Sequence, residues 1–198
     1  MEAPVVRLIQ WRFFDYADLR RRAFCWSEAQ ESAYPSVIAD VLHFSFTVSN
    51  IDRSVEWYTH VLGLELVHRQ RQENEYTQIL VGIPGAVLEV AQLVVPGVPP
   101  ARSTHVLELI EYVRSRGPES RGLPTNIVGS SHLALLVTDI HARVERMREL
   151  GVEFRNSPVK ITEGANAGGY ACYFHDPDGI TLELLQPSIE RLQHWGLA

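Results

Sequence analysis

A nine-residue segment recurs in this chain: HFSFTVSNI at 43–51 returns as HLALLVTDI at 132–140. His43 aligns with His132, Phe44 with Leu133, Phe46 with Leu135, Val48 with Val137 and Ile51 with Ile140. A repeat constrains a fold more than any single motif, because two copies of one supersecondary unit must each bury an apolar face. The first copy alternates polar and apolar residues over six positions and the second keeps large apolar residues at the matching places, which predicts strands. Phe44, Phe46, Val48 and their counterparts Leu133, Leu135, Val137 form a face packed on helices, and His43 and His132 point the other way.

The matching continues downstream. Ser49-Asn50 and Thr138-Asp139 are helix-starting pairs, and RSVEWYTHVLGLEL and ARVERMRELGVEF follow them with helical spacing. Gly63 and Gly151 are placed to end those helices and release the chain into a second strand. The copies converge again at VLELIEY (106–112) and TLELLQP (181–187), which aligns Glu108 with Glu183. The repeating unit is therefore strand, helix and about three strands, an α+β arrangement. It divides the chain into a first βαβββ module at 41–113, a Gly/Pro/Ser-rich linker at 114–131, a second module at 132–187 and a C-terminal tail at 188–198. His43 and Glu108 are 65 positions apart and His132 and Glu183 only 51, so the first copy carries a 14-residue excess. That excess falls in ENEYTQILVGIPGA, predicted to form an extra helical turn ahead of the strand AVLEVAQLVV. YACYFHDPDGITLELL reads as a hairpin turning at DPDG. Residues 1–40, where large aromatics mix with arginines, are predicted to be a helical extension packed on the domain or on a partner subunit.

Composition excludes several classes. At 198 residues with 45% hydrophobic content, the chain can bury a core without staples, and two cysteines are too few for a disulfide scaffold. A net charge of −6 offers no basic stripe for nucleic acid. No apolar run approaches the roughly 18 residues of a membrane span, and the start lacks a secretory apolar segment, so a cytoplasmic location is expected.

Four residues carry the chemistry. If the modules pair about a pseudo-twofold axis, His43, Glu108, His132 and Glu183 converge, and two imidazoles with two carboxylates suit a divalent ion: Fe, Mn, Ni, Co or Zn. A lone strand His is usually a hydrogen-bonded core or surface residue, and a lone strand Glu is usually solvated. Here each Glu lies between leucines (Leu107 and Leu109; Leu182 and Leu184), and burying four such groups without a cation would be costly. Glu89 in AVLEVAQL competes with Glu108, being 46 positions from His43, but VLELIEY follows TLELLQP further than VLEVAQL does. Tyr112, four residues beyond Glu108 on the same strand face, is the candidate substrate-binding side chain. His68, His105, His141, His175 and His194 have no repeat partner and read as surface residues; Cys172 reads as an inert small hydrophobe.

HFSFTVSNIDRSVEWYTHVLGLELV, HLALLVTDI, GYACYFHDPDGITLELLQP and the paired LEL strands resemble the vicinal oxygen chelate superfamily of glyoxalases, epimerases, bleomycin- and fosfomycin-resistance proteins and extradiol dioxygenases. The resemblance covers residues 41–187. It implies two paired βαβββ modules in an incompletely closed barrel around a metal, with His43, Glu108, His132 and Glu183 as ligands. The expected partners are a small-molecule substrate and a second copy of the chain as a homodimer, with neither nucleic acid nor membrane. The implied activity is a metal-dependent lyase, isomerase or epimerase working by proton transfer beside a chelated carbonyl, with Glu108 or Glu183 as base. An extradiol dioxygenase using His43, His132 and Glu183, or a non-catalytic resistance-type binding protein, is the alternative. Lactoylglutathione lyases of this family carry an arginine where Thr47 stands, which points away from glutathione.

Overall fold

The computed structural model describes residues 41–98, 105–119 and 122–198; the extension expected over 1–40 lies outside them. The first module runs β1 (His43–Thr47), α1 (Ile51–His60), β2 (Glu65–Gln72), α2 (Glu75–Val81), β3 (Val87–Val94) and β4 (Val106–Arg114). The second runs β5 (Leu133–Leu136), α3 (Ile140–Glu149), β6 (Val159–Lys160), β7 (Tyr170–His175) and β8 (Thr181–Gln186), and a last helix, α4 (Ile189–His194), occupies the tail. Each module forms its own four-stranded mixed sheet, ordered β1-β4-β3-β2 and β5-β8-β7-β6, with the first and last strands parallel and the others antiparallel. Neither sheet closes into a barrel.

The helices begin and end for the reasons legible in the sequence. The Asn50 side chain accepts the Arg53 amide at 2.8 Å, and Asp139 accepts the Ala142 amide at 3.0 Å. A second anchor appears in both copies. The Glu111 carboxylate accepts the Ile51 amide and the Gln186 side-chain oxygen accepts the Ile140 amide, each at 2.7 Å, so the last strand holds the start of the helix that packs on it. Past each helix, Gly63 (φ 73°) and Gly151 (φ 83°) take the left-handed conformation that turns the chain back. The 14-residue excess is α2 with its approaches, capped by Asn74 and ended by left-handed Gly82. The second copy departs from expectation after α3. Instead of a full strand at GVEF there is a single bridge, Phe154 to Phe174, and then only β6. Pro158, which has no amide to donate, interrupts that edge.

The core lies between the helical faces of the two modules. Phe46, Val48, Tyr58, Leu107 and Leu109 from the first join Val144, Met147, Phe174, Leu182 and Leu184 from the second in one buried cluster. Trp57 of α1 stacks edge-on with Tyr58 at 5.0 Å and reaches Phe174 at 6.4 Å. The DPDG turn fastens this contact. Asp176 accepts the buried Tyr58 hydroxyl at 3.2 Å, while Asp178 accepts the Ser49 hydroxyl (2.6 Å), the Ser49 amide (2.8 Å) and the Arg53 guanidinium. Arg143 of α3 donates to the Val61 carbonyl at 2.8 Å.

Burial alone would raise the Asp178 carboxyl, but the Ser49 and Arg53 hydrogen bonds outweigh it and hold the group below its ordinary value of 3.8. A depressed folded value means stability present above pH 3.8 and lost as pH falls through the lower folded value. Asp178→Asn should therefore lower stability by about 1–3 kcal/mol at pH 7. The gap to the wild type should close as pH falls through the depressed folded value, as thermal melts across pH will show.

Candidate functional site

Strand register explains how each module assembles a His–Glu pair. In the parallel pairings, Ser45 stands opposite Glu108 and Ala134 opposite Glu183, so each His lies two residues before its glutamate's partner and on the same sheet face. His43 Nε2 is 3.7 Å from Glu108 Oε1, and His132 Nε2 is 3.1 Å from Glu183 Oε2. In both pairs the imidazole is 40% exposed and the carboxylate 14% or 11%. Neither carboxylate pairs with a Lys or Arg among the described residues.

These pairs occupy the sheet faces turned away from the shared core, since Leu107, Leu109, Leu182 and Leu184 alternate with the glutamates and point into it. Within the described residues of one chain the two pairs therefore do not gather into one cluster. Among the described residues no three His, Cys, Asp or Glu side chains come together in a way that could hold a metal ion. The chain presents two His–Glu pairs, one per module.

Each glutamate also has a polar neighbour on the adjacent antiparallel strand. Gln92 stands opposite Glu108 and donates its amide to Oε2 at 3.0 Å. Tyr173 stands opposite Glu183, with its ring edge-on to His132 at 5.4 Å. Burial, then the negative charge of Glu183 and a hydrogen bond to it, raise the Tyr173 phenol, while Arg155 opposes the shift. Arg155 lies over the Tyr173 ring, 5.7 Å from its centroid. Tyr112 shares the face of Glu108, opposite Leu88 and two rows along the strand. Glu89 is on the other face, engaged by Arg71 at 3.2 Å and by Arg69 at 3.8 Å.

The remaining candidates are occupied elsewhere. His141 is edge-on to Tyr170 at 5.1 Å, on the helical side. His175 is 3.3 Å from Arg155, on the Glu183 side. Cys172 is buried, and burial pushes its thiol up to about 11. Gln92, Tyr173 and Arg155 were not found by sequence reasoning, because the repeat aligns Gln92 with Tyr173 only once the ladders are known. Glu111 and Gln186 could have been found, since they hold the same position three residues after each glutamate.

A family model described as Glyoxalase/Bleomycin resistance protein/Dioxygenase superfamily matches residues 40–184. A 2-epi-5-epi-valiolone epimerase of Actinomyces sp. is 33% identical over 153 residues, covering 76% of this chain and 80% of that protein. A probable lactoylglutathione lyase of Vibrio cholerae is 26% identical, covering 74% and 89%. Among solved structures, a glyoxalase family protein from Bacillus cereus superposes with a TM-score of 0.64 at 22% identity, covering 76% of this chain and 95% of that one.

With its thiol raised to about 11, Cys172 should resist iodoacetamide in the native protein at pH 8 and react readily once unfolded. Mass spectrometry of the Cys172 peptide before and after denaturation reads this directly, and rapid native labelling would contradict the buried placement.

Proposed function

The chain belongs to the glyoxalase/bleomycin resistance protein/dioxygenase superfamily, and from that premise we propose that it is a metal-dependent epimerase- or lyase-type enzyme that moves a proton beside the carbonyl of a small substrate. The observation that carries this reading is the matched pair of half-sites. Two modules each bring one imidazole and one carboxylate to the sheet face that the core leaves free.

The donor set fits a divalent ion. Glu183 is 8% exposed and forms no ion pair with a Lys or Arg among the described residues, and a desolvated carboxylate in that setting is stabilised by a bound cation. His43 and Glu108 of one chain with His132 and Glu183 of the partner subunit would hold it, because the shared core turns the two pairs of a single chain to different faces. The protein is accordingly a homodimer in which each site takes one module from each copy. When bound, the ion would act as a Lewis acid toward the carbonyl oxygen and lower the cost of charge developing there.

The chain's own residues supply the remainder. A carboxylate, Glu108 or Glu183, accepts the proton from the carbon beside the carbonyl and can return it to the same or the opposite face. Gln92 fixes the Glu108 carboxylate by donating to it, and Tyr173 stands opposite Glu183. Tyr112, on the Glu108 face, is placed to hydrogen-bond a substrate oxygen, and Leu88 and Val90 on the same face keep that surface apolar. Thr47 in place of the arginine of lactoylglutathione lyases, together with the valiolone epimerase at 33% identity, favours epimerisation over glutathione chemistry.

Two measurements check this. Purified protein should carry one divalent ion per chain, and His43→Ala and His132→Ala should each lose it while remaining folded. Mixing those two variants should restore about a quarter of the wild-type sites, because half the dimers are then mixed and each has one intact site of two. No recovery on mixing would place both halves of the site in one chain. Under anaerobic conditions in D2O, the loaded enzyme should exchange the hydrogen beside the carbonyl of a hydroxyketone. Activity only with Fe(II) and stoichiometric oxygen consumption would instead establish ring cleavage by a dioxygenase.

A further inference from the structure

We propose that the substrate carries an anionic group, a carboxylate or a phosphate, and that Arg155 with His175 receives it at the edge of the second half-site. This rests on the reading that the His132–Glu183 face is where substrate binds. The first observation is placement. The Arg155 amide donates to the Tyr173 carbonyl at 2.8 Å, which fixes its backbone beside β7. Phe154 before it points into the core against Phe174, so alternation sends Arg155 to the face of Tyr173, Glu183 and His132.

The second observation is charge. Arg53, Arg69, Arg71, Arg116, Arg146 and Arg148 each pair with a carboxylate. Arg155 pairs with none among the described residues. Its side-chain neighbours include no carboxylate: the Tyr173 ring lies below it, His175 Nε2 at 3.3 Å and Thr125 Oγ1 at 3.4 Å. A guanidinium only donates, and the imidazole of His175 lies beside it. The result is a stacked, oriented cation with unused donors next to a second N–H donor. The ring beneath sets the plane of the fork, and such a fork suits the bidentate geometry of carboxylate or phosphate.

The third observation is asymmetry. Across the first sheet the corresponding row is Ser45, Glu108, Gln92 and His68; across the second it is Ala134, Glu183, Tyr173 and Arg155. Only the second row ends on a permanent charge, so a substrate spanning both half-sites has its anionic end fixed toward the second module. In an epimerisation, that fixed end would determine which carbon is presented to the carboxylates.

The test uses metal-replete full-length protein and two matched pairs of carbonyl probes. Dihydroxyacetone phosphate is compared with dihydroxyacetone, and levulinate with 5-hydroxypentan-2-one, by isothermal titration. Wild type should bind at least one charged member about tenfold or more tightly than its neutral match, and which pair discriminates tells phosphate from carboxylate. In Arg155→Met that preference should fall to about twofold or less, with Arg155→Lys intermediate. Arg155 is exposed, so both variants should keep the wild-type melting temperature and metal content. No preference for either charged probe in wild type, including no detectable binding, overturns the proposal, as does an unchanged preference in Arg155→Met. Loss of dimer stability with unchanged probe preference would assign Arg155 to the subunit contact instead, and also overturns it. Deuterium exchange separates this from the proposed reaction. An Arg155-dependent preference without exchange for any probe rejects the reaction and keeps the anion site; exchange without such a preference does the reverse.

Discussion

Each sheet has two faces, and the contact of Trp57 and Tyr58 with Phe174 determines which of them is available for chemistry. Because α1 packs across onto the second module, the leucines flanking Glu108 and Glu183 share one core, and the glutamates themselves are directed away from it. The DPDG turn enforces this choice with polar contacts that a slipped packing could not satisfy. Asp176, buried and raised by that burial, has its oxygens taken by the Tyr58 hydroxyl and by the amides of Asp178 and Ile180, while Asp178 binds the start of α1. Leaving such a carboxylate unsatisfied would cost more than a loosely packed apolar contact returns, so the turn specifies the orientation of the modules as well as stabilising it.

The repeat made most of this fold legible. Alternation, the Asn50 and Asp139 caps, the glycines at 63 and 151 and the paired LEL strands are local signals, and local signals survive into structure when packing agrees with them. The inserted helix was visible because a length difference between two copies has to go somewhere. What the repeat could not show was the relation between its two halves. Sequence symmetry says that the modules are alike, not which faces meet, and an inward convergence of four ligands was the simplest assumption consistent with it. The shortened β6 was also hidden, since the match of GVEF to GLEL suggests a strand that Pro158 and the preceding bend do not allow.

The choice of Glu108 over Glu89 shows how a period of two decides chemistry. Both are strand glutamates flanked by apolar residues, and spacing from His43 favoured Glu89. Pairing puts Glu89 opposite Glu111, on the helical side, where the arginines of β2 neutralise it. A one-residue change of phase would have exchanged their roles.

The two His–Glu pairs differ where the repeat has diverged. Glu108 receives a hydrogen bond from the Gln92 amide, a neutral donor that cannot give up its proton. Glu183 faces the Tyr173 phenol, whose proton burial and the charge of Glu183 hold more tightly while Arg155 opposes them, and lies nearer its histidine. Two carboxylates that began as copies of one residue thus sit in distinct electrostatic surroundings. The duplication provides the pair, and the β3 and β7 residues opposite it make the two surroundings differ.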